Sequence, residues 1–171
     1  GWVRSLAPGQ TVSTVLLSKD SRYPAGRYVA EYEGEGEIVW SESARLVERT
    51  PGRDLIEVDP AQGNLLLTLV SINPRNPLRK IRVPLPGVDA PSEEIFHPAF
   101  LKANEHYVTV RMMGYTLTEW TDARDPLGWD DRPRVDDARW SEKGVPVEIM
   151  VELANRLGAD PWFAVPHTAD D

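Results

Sequence analysis

Residues 26–40 read GRYVAEYEGEGEIVW (Gly26–Trp40), and this stretch decides the fold. Tyr28, Ala30 and Tyr32 alternate with Val29, Glu31 and Glu33, and a period of two sends successive side chains to opposite faces of a strand. Gly34-Glu35-Gly36 then interrupts the run with residues that tolerate positive φ. Gly26–Glu33 and Glu35–Trp40 are therefore expected as strands, with Gly34-Glu35-Gly36-Glu37 in a hairpin.

The same punctuation continues outward. Thr11–Leu17, Ala44–Thr50, Arg53–Asp59, Asn64–Ile72 and Leu78–Val83 are further strand candidates. Tyr23-Pro24-Ala25-Gly26, Thr50-Pro51-Gly52-Arg53 and Asp59-Pro60-Ala61-Gln62-Gly63-Asn64 separate them, each with a Pro of preset φ or a Gly. Ile56 and Val58 alternate with Leu55 and Glu57. Short strands at this spacing, with no helical stretch, predict an antiparallel β-sandwich over residues 1–90, jelly-roll or immunoglobulin-like. Within it Tyr28 and Tyr32 share a face with Ala30. Together with Trp40 they either form an outer aromatic strip suited to a glycan or fill the space between the sheets, and strand aromatics favour the second.

The pattern changes near Pro91, and residues 91–171 read as a linker followed by strand, helix and strand. A short helix is expected after His97, since Pro98 suits a first helical position. Tyr107–Met113 has strand composition. Gly114–Gly144 is a long irregular stretch holding Trp120, Trp129 and Trp140. Val145–Leu157 predicts a helix: Ile149, Met150, Leu153, Ala154 and Leu157 make one apolar stripe, Glu148, Glu152 and Arg156 face away, and Gly158 suits the C-terminal cap. Pro161–Val165 then reads as a buried strand, parallel to the first, in a βαβ unit. Such a unit looks like the opening of a larger sheet or barrel.

Composition removes several function classes. The chain has 171 residues, with 19 Lys plus Arg against 27 Asp plus Glu, a formal net charge of −8. That balance repels phosphate backbones and argues against nucleic acid as a partner. No apolar run approaches the roughly 20 residues of a membrane span. Cysteine is absent, which excludes thiolate catalysis and Cys-ligated zinc. No phosphate-binding glycine loop and no G-x-S-x-G elbow occur. The start at Gly1-Trp2 reads as that of a processed product or fragment.

The segment GVPVEIMVELANRLGADPWFAVPHTADD (Gly144–Asp171) resembles the first helix and second strand of a secreted microbial group of glycoside-hydrolase-like proteins with a TIM barrel of the clan A type. NPLRKIRVPLPG (Asn76–Gly87), FHPAFL (Phe96–Leu101) and VRMMGYT (Val110–Thr116) are similar to that group's passage into the barrel and its first strand. PAGRYVAEYEGEGEI (Pro24–Ile38) resembles its accessory carbohydrate-binding-like sandwich. The group usually carries Asp-Trp at the end of barrel strand one, where this chain has Gly114-Tyr115. The resemblance implies an extracellular protein, a polysaccharide or other glycan as partner, and catalytic carboxylates on later strands beyond Asp171. Retaining hydrolysis needs two carboxyl groups roughly 5–5.5 Å apart and inverting hydrolysis roughly 6.5–9.5 Å, and no such pair is expected within this chain.

On that reading the candidate glycan-binding residues are Tyr115, Trp120, Trp129, Trp140, Arg111 and His167. The aromatics occupy a loop leaving the C-terminal end of the first parallel strand, the functional end of barrel strands, and sugars offer apolar C–H faces to aromatic rings. The plainer alternative makes the tryptophans filler of a long loop. Arg111 and His167 lie in or just beyond the two strands; His167 either meets a sugar hydroxyl or caps the strand against Asp170 or Asp171. Asp122, Asp125, Asp130, Asp131, Asp136 and Asp137 raise Ca²⁺, which takes 6–8 oxygen ligands, but Arg124, Arg132, Arg134 and Arg139 interleave and favour surface ion pairs. His97 and His106 lack the further ligands of a zinc site. The leading expectation is a non-catalytic carbohydrate-binding portion of a larger protein. The alternatives are a piece of an active glycoside hydrolase and a structural sandwich that packs against copies of itself.

Overall fold

A computed structural model of the chain describes residues 1–41, 43–88, 94–118 and 128–165. It is mainly β and divides into two units, Trp2–Glu94 and a second comprising Gly1 and Ile95–Asp171. In the first unit the strands are β1 (Val12–Leu17), β2 (Gly26–Glu33), β3 (Gly36–Trp40), β4 (Ala44–Thr50), β5 (Arg53–Val58), β6 (Leu65–Ile72) and β7 (Arg79–Arg82). They form two antiparallel sheets, ordered β1-β6-β3 and β4-β5-β2-β7. Period-two patterning decides which side chains face inward: Tyr28 and Ala30 from β2, Ile38 and Trp40 from β3, Ile56 and Val58 from β5, and Leu65, Leu67 and Leu69 from β6 share one core. A sandwich fits this arrangement.

Tyr28 lies inside with its hydroxyl donating to the Pro24 carbonyl at 2.7 Å, and Tyr32 is half-buried. These aromatics fill the interior. The hairpin expected at Gly34–Glu37 is instead a crossover between sheets, because β2 pairs with β5 and β7 while β3 pairs with β6. Glu35 holds the crossover to the loop before β7. Its N–H donates to the Asn76 carbonyl at 2.8 Å, and its carboxylate accepts from the side chains of Asn73 and Asn76 at 2.7 and 3.2 Å. Gly34, at φ +92°, needs its missing Cβ because one there would strike the backbone of Pro77.

One carboxylate sits in this core. Asp54 is fully buried on β5, directly opposite Arg49 of the edge strand β4. Arg49 grips it with two donors, Nε at 2.7 Å and Nη2 at 2.6 Å, while Nη2 also donates to the Ile38 carbonyl on the other sheet at 2.7 Å. Trp40 Nε1 donates to Asp54 at 2.8 Å and the Tyr32 hydroxyl at 3.1 Å. Burial pushes this carboxyl up, but the bonds from Arg49, Trp40 and Tyr32 outweigh burial and hold it below its ordinary range. Burial, with the neighbouring Asp54 charge, raises Tyr32.

The second unit contains α1 (Pro98–Asn104), β8 (Thr109–Arg111), α2 (Met113–Thr116), α3 (Val147–Leu157) and β9 (Asp160–Trp162). His97 caps α1, its Nδ1 accepting from Ala99 N–H at 3.1 Å. β8 and β9 are parallel, with Thr109 opposite Asp160, Val110 opposite Pro161 and Arg111 opposite Trp162. The stripe of α3 buries Ile149, Met150, Leu153 and Ala154. Around Met112, Met150, Leu153 and Ala154 pack Phe96, Leu101, Val110, Val145, Leu157 and Phe163. Gly158, at φ +64°, closes α3.

Both strands are shorter than their composition suggests. β8 stops at Arg111 because the chain turns into α2 at Met113, with Met112 N–H still donating to the Trp162 carbonyl at 2.9 Å. The expected buried strand through Val165 is corrected: β9 covers Asp160–Trp162, all exposed, and Val165 is exposed too. A parallel pair with a helix packed against one face buries alternate residues only, so Phe163 goes inward and Trp162 does not.

Two stability measurements check these cores. Arg49→Met leaves the Asp54 carboxylate buried without its main partner and should cost the lower end of about 3–5 kcal/mol at neutral pH, since Arg49 keeps 34% of its side chain exposed. In the native chain the Asp54 carboxyl is lowered, so its contribution is present above the ordinary Asp value near 3.9 and fades as pH falls through the lowered value. In the variant that direction reverses, and urea midpoints should recover on acidification; a loss independent of pH would refute this assignment. Leu153→Ala should destabilise the second unit by about 2–5 kcal/mol in the same assay.

Candidate functional site

Exposed Phe, Tyr and Trp side chains among the described residues all belong to the second unit: Phe100, Tyr107, Tyr115, Trp129 and Trp162. The sandwich keeps Tyr23, Tyr28 and Trp40 inside. Any aromatic platform therefore lies on the second unit, and two tryptophans there stand beside an arginine.

The first couple is Trp162 with Arg111. Register places them opposite each other across β9 and β8, and the Arg111 guanidinium lies over the indole, 5.0 Å from the ring centroid. Trp162 is 58% exposed even so. Arg111 Nη2 also donates to the Met113 sulfur at 2.9 Å. Thr109, Arg111, Asp160 and Trp162 alternate with the α3-facing residues Val110 and Phe163, so they mark the sheet face away from that core.

The second couple is Trp129 with Arg132. Trp129–Asp131 is a 3-10 turn whose three carbonyls each accept from a cation: Trp129 from Arg132 Nη1 at 3.3 Å, Asp130 from Arg134 Nη2 at 3.4 Å and Asp131 from Lys143 Nζ at 2.8 Å. Arg132 also lies 4.1 Å from the Trp129 ring centroid and pairs with Glu148 at 3.4 Å. Its Nε is buried without an acceptor, an arrangement costing roughly 1–3 kcal/mol. The turn nonetheless holds Trp129 at 66% exposure. An indole fixed from behind and bare in front is a ready surface for an apolar ring face.

The remaining candidates separate. Tyr115, on α2, is partly exposed, and its carbonyl accepts from Val145 N–H at 2.8 Å, tying the end of the long loop to α2. Gly144 allows that approach, since a Cβ there would meet the Tyr115 carbonyl oxygen at 2.5 Å. Trp140 is half-buried and donates its indole N–H to the Arg134 carbonyl at 3.2 Å, so it serves as loop filler. Trp120 and His167 lie outside the described residues, as do Asp122 and Asp125. Among the described residues no group of three or more His, Asp or Glu comes together as a metal site. Asp130 pairs with Arg134 and Glu142 with Arg139, and Asp137, accepting from Arg134 N–H at 2.9 Å, is held below its ordinary range by that bond. These are surface ion pairs.

Two contributors escape a reading of the sequence alone. Trp162 sits in an apolar run that looks buried, but it lies on the strand-pair face away from α3 and is exposed there. Arg132 looks like one of several interleaved cations, and its place over Trp129 depends on a turn with no strong periodicity. Comparison with known proteins adds nothing to this geometry, since no family model, curated protein or solved structure matches the chain.

Proposed function

We propose that the chain is a non-catalytic, carbohydrate-binding portion of a secreted glycoside-hydrolase-like protein, with Trp129 and Trp162 as the sugar platforms. The observation that carries this reading is the pair of exposed indoles, each backed by an arginine. Exposed tryptophans are unusual on a protein surface, and here backbone carbonyl bonds or strand register hold them in place. Pyranose rings present apolar C–H faces that stack on such indoles, while hydroxyls bond to flanking polar groups. Asp130 and Asp131 beside Trp129, and Thr109 and Asp160 on the sheet face of Trp162, supply those groups. The parallel strand–helix–strand unit supports the likeness to a barrel opening, with hydrolysis, if the larger protein performs it, assigned to carboxylates outside this chain.

A second reading, self-association through the sandwich, has one observation of its own. Strand β1 (VSTVLL) is a sheet edge without a single charge, whereas β4 and β7 carry several, and uncharged edges invite pairing.

Affinity electrophoresis and calorimetry with neutral oligosaccharides, cellohexaose and xylohexaose among them, test the first reading. Trp129→Ala should weaken binding about tenfold or more without lowering the unfolding midpoint, because its side chain stands outside the cores. Retention on none of the polysaccharides, together with a dimer in light scattering that Val15→Lys dissolves, would replace that reading with the second. No new reducing ends should form from cellulose or xylan, and turnover abolished by one carboxylate substitution in this chain would contradict the non-catalytic assignment.

A further inference from the structure

The two tryptophan–arginine couples differ in what their cation already does. Arg132 is committed: it holds the Trp129 carbonyl and pairs with the Glu148 carboxylate. Arg111 is exposed and makes no ion pair among the described residues. Among the described residues its side chain donates one hydrogen bond, to the Met113 sulfur, a weak acceptor. Asp160 stands on the same sheet face but opposite Thr109, two positions along, roughly 6–7 Å at strand rise. Trp162 therefore has beside it a guanidinium with most of its planar donor fork open, and that fork matches a carboxylate in two-point geometry.

We infer that Trp162 and Arg111 form a subsite for a uronic-acid residue, while Trp129 takes a neutral sugar ring. This rests on the carbohydrate-binding reading and names its ligand class. A pyranose stacks on the open face of the Trp162 indole, and the carboxylate of that sugar or of its neighbour in the chain meets the Arg111 donors. The net charge of −8 repels a long polyanion, so the fitting ligand is a glycan with sparse uronates or a short acidic oligomer. Screening by salt acts in both directions: it weakens the contact at Arg111 and relieves the repulsion.

Calorimetry on the whole chain, with trigalacturonate as the acidic probe and cellohexaose as the neutral one, tests this. Arg111→Gln should weaken trigalacturonate about tenfold and change cellohexaose less than about twofold. Arg111→Lys, which keeps the charge and loses the fork, should fall between Arg111→Gln and the unaltered chain for the acidic probe. Arg132→Gln should weaken the neutral probe by releasing the Trp129 turn. Since Arg111 is exposed and outside both cores, an unchanged unfolding midpoint should accompany its substitution. Trigalacturonate that fails to bind while cellohexaose binds, or acidic binding unmoved by Arg111→Gln, overturns the uronate subsite and leaves the general reading standing. Binding of neither probe overturns both.

Discussion

The bond between Asp54 and Arg49 is the constraint on which the sandwich depends. A buried carboxylate is tolerated only when every lone pair is matched, and this one draws donors from both sheets. Arg49 arrives from edge strand β4 and Trp40 from edge strand β3, so the edges of the two sheets are pinned to each other where the chain passes between them. Apolar packing alone is indifferent to small slips. A carboxylate with four donor bonds from three side chains is not, and it fixes which residues of β3, β4 and β5 face one another.

The second unit answers to a different limit, the supply of cover. It has one helix of three turns and a strand pair three residues long on each side. That helix packs over Val110, Met112 and Phe163, and among the described residues no second layer covers the other sheet face. Trp162 is exposed for that reason, and so is available. Trp129 comes to the surface by another route, through a turn tied down by side chains that follow it in sequence. One exposed indole results from missing cover and the other from construction.

How much of this was legible beforehand follows from the range of each interaction. Turn residues act over four positions and strand alternation over two, so the seven sandwich strands, the helix after His97 and the helix ending at Gly158 could be read locally. The partner of each strand could not. Gly34 and Gly36 signal a reversal whether the chain returns beside itself or crosses to the opposite sheet, and the choice is made by the loop at Asn73–Pro77. Alternation puts Asp54 on the face of Ile56 and Val58, but no local signal says that Arg49, Trp40 and Tyr32 will meet its carboxylate there. Of the residues singled out at the strand ends and in the long loop, Tyr115, Trp129 and Arg111 are exposed, while Trp140 is half-buried. Trp162 was hidden by its apolar neighbours Pro161, Phe163 and Val165.

The Trp129–Asp131 turn separates scaffold from display. Its three carbonyls are held by Arg132, Arg134 and Lys143, all outside the turn, and the Trp129 ring and Asp130 carboxylate add contacts to the first two of these cations. The carbonyl bonds survive exchange of residues 129–131, because they touch backbone alone, whereas losing one of the three cations loosens all that is mounted. In a lineage adapting to new surfaces the displayed residues are free to drift and the cations behind them are not. If Trp129 is the sugar platform proposed above, its recognition is in that sense modular, with the variable part confined to three consecutive codons.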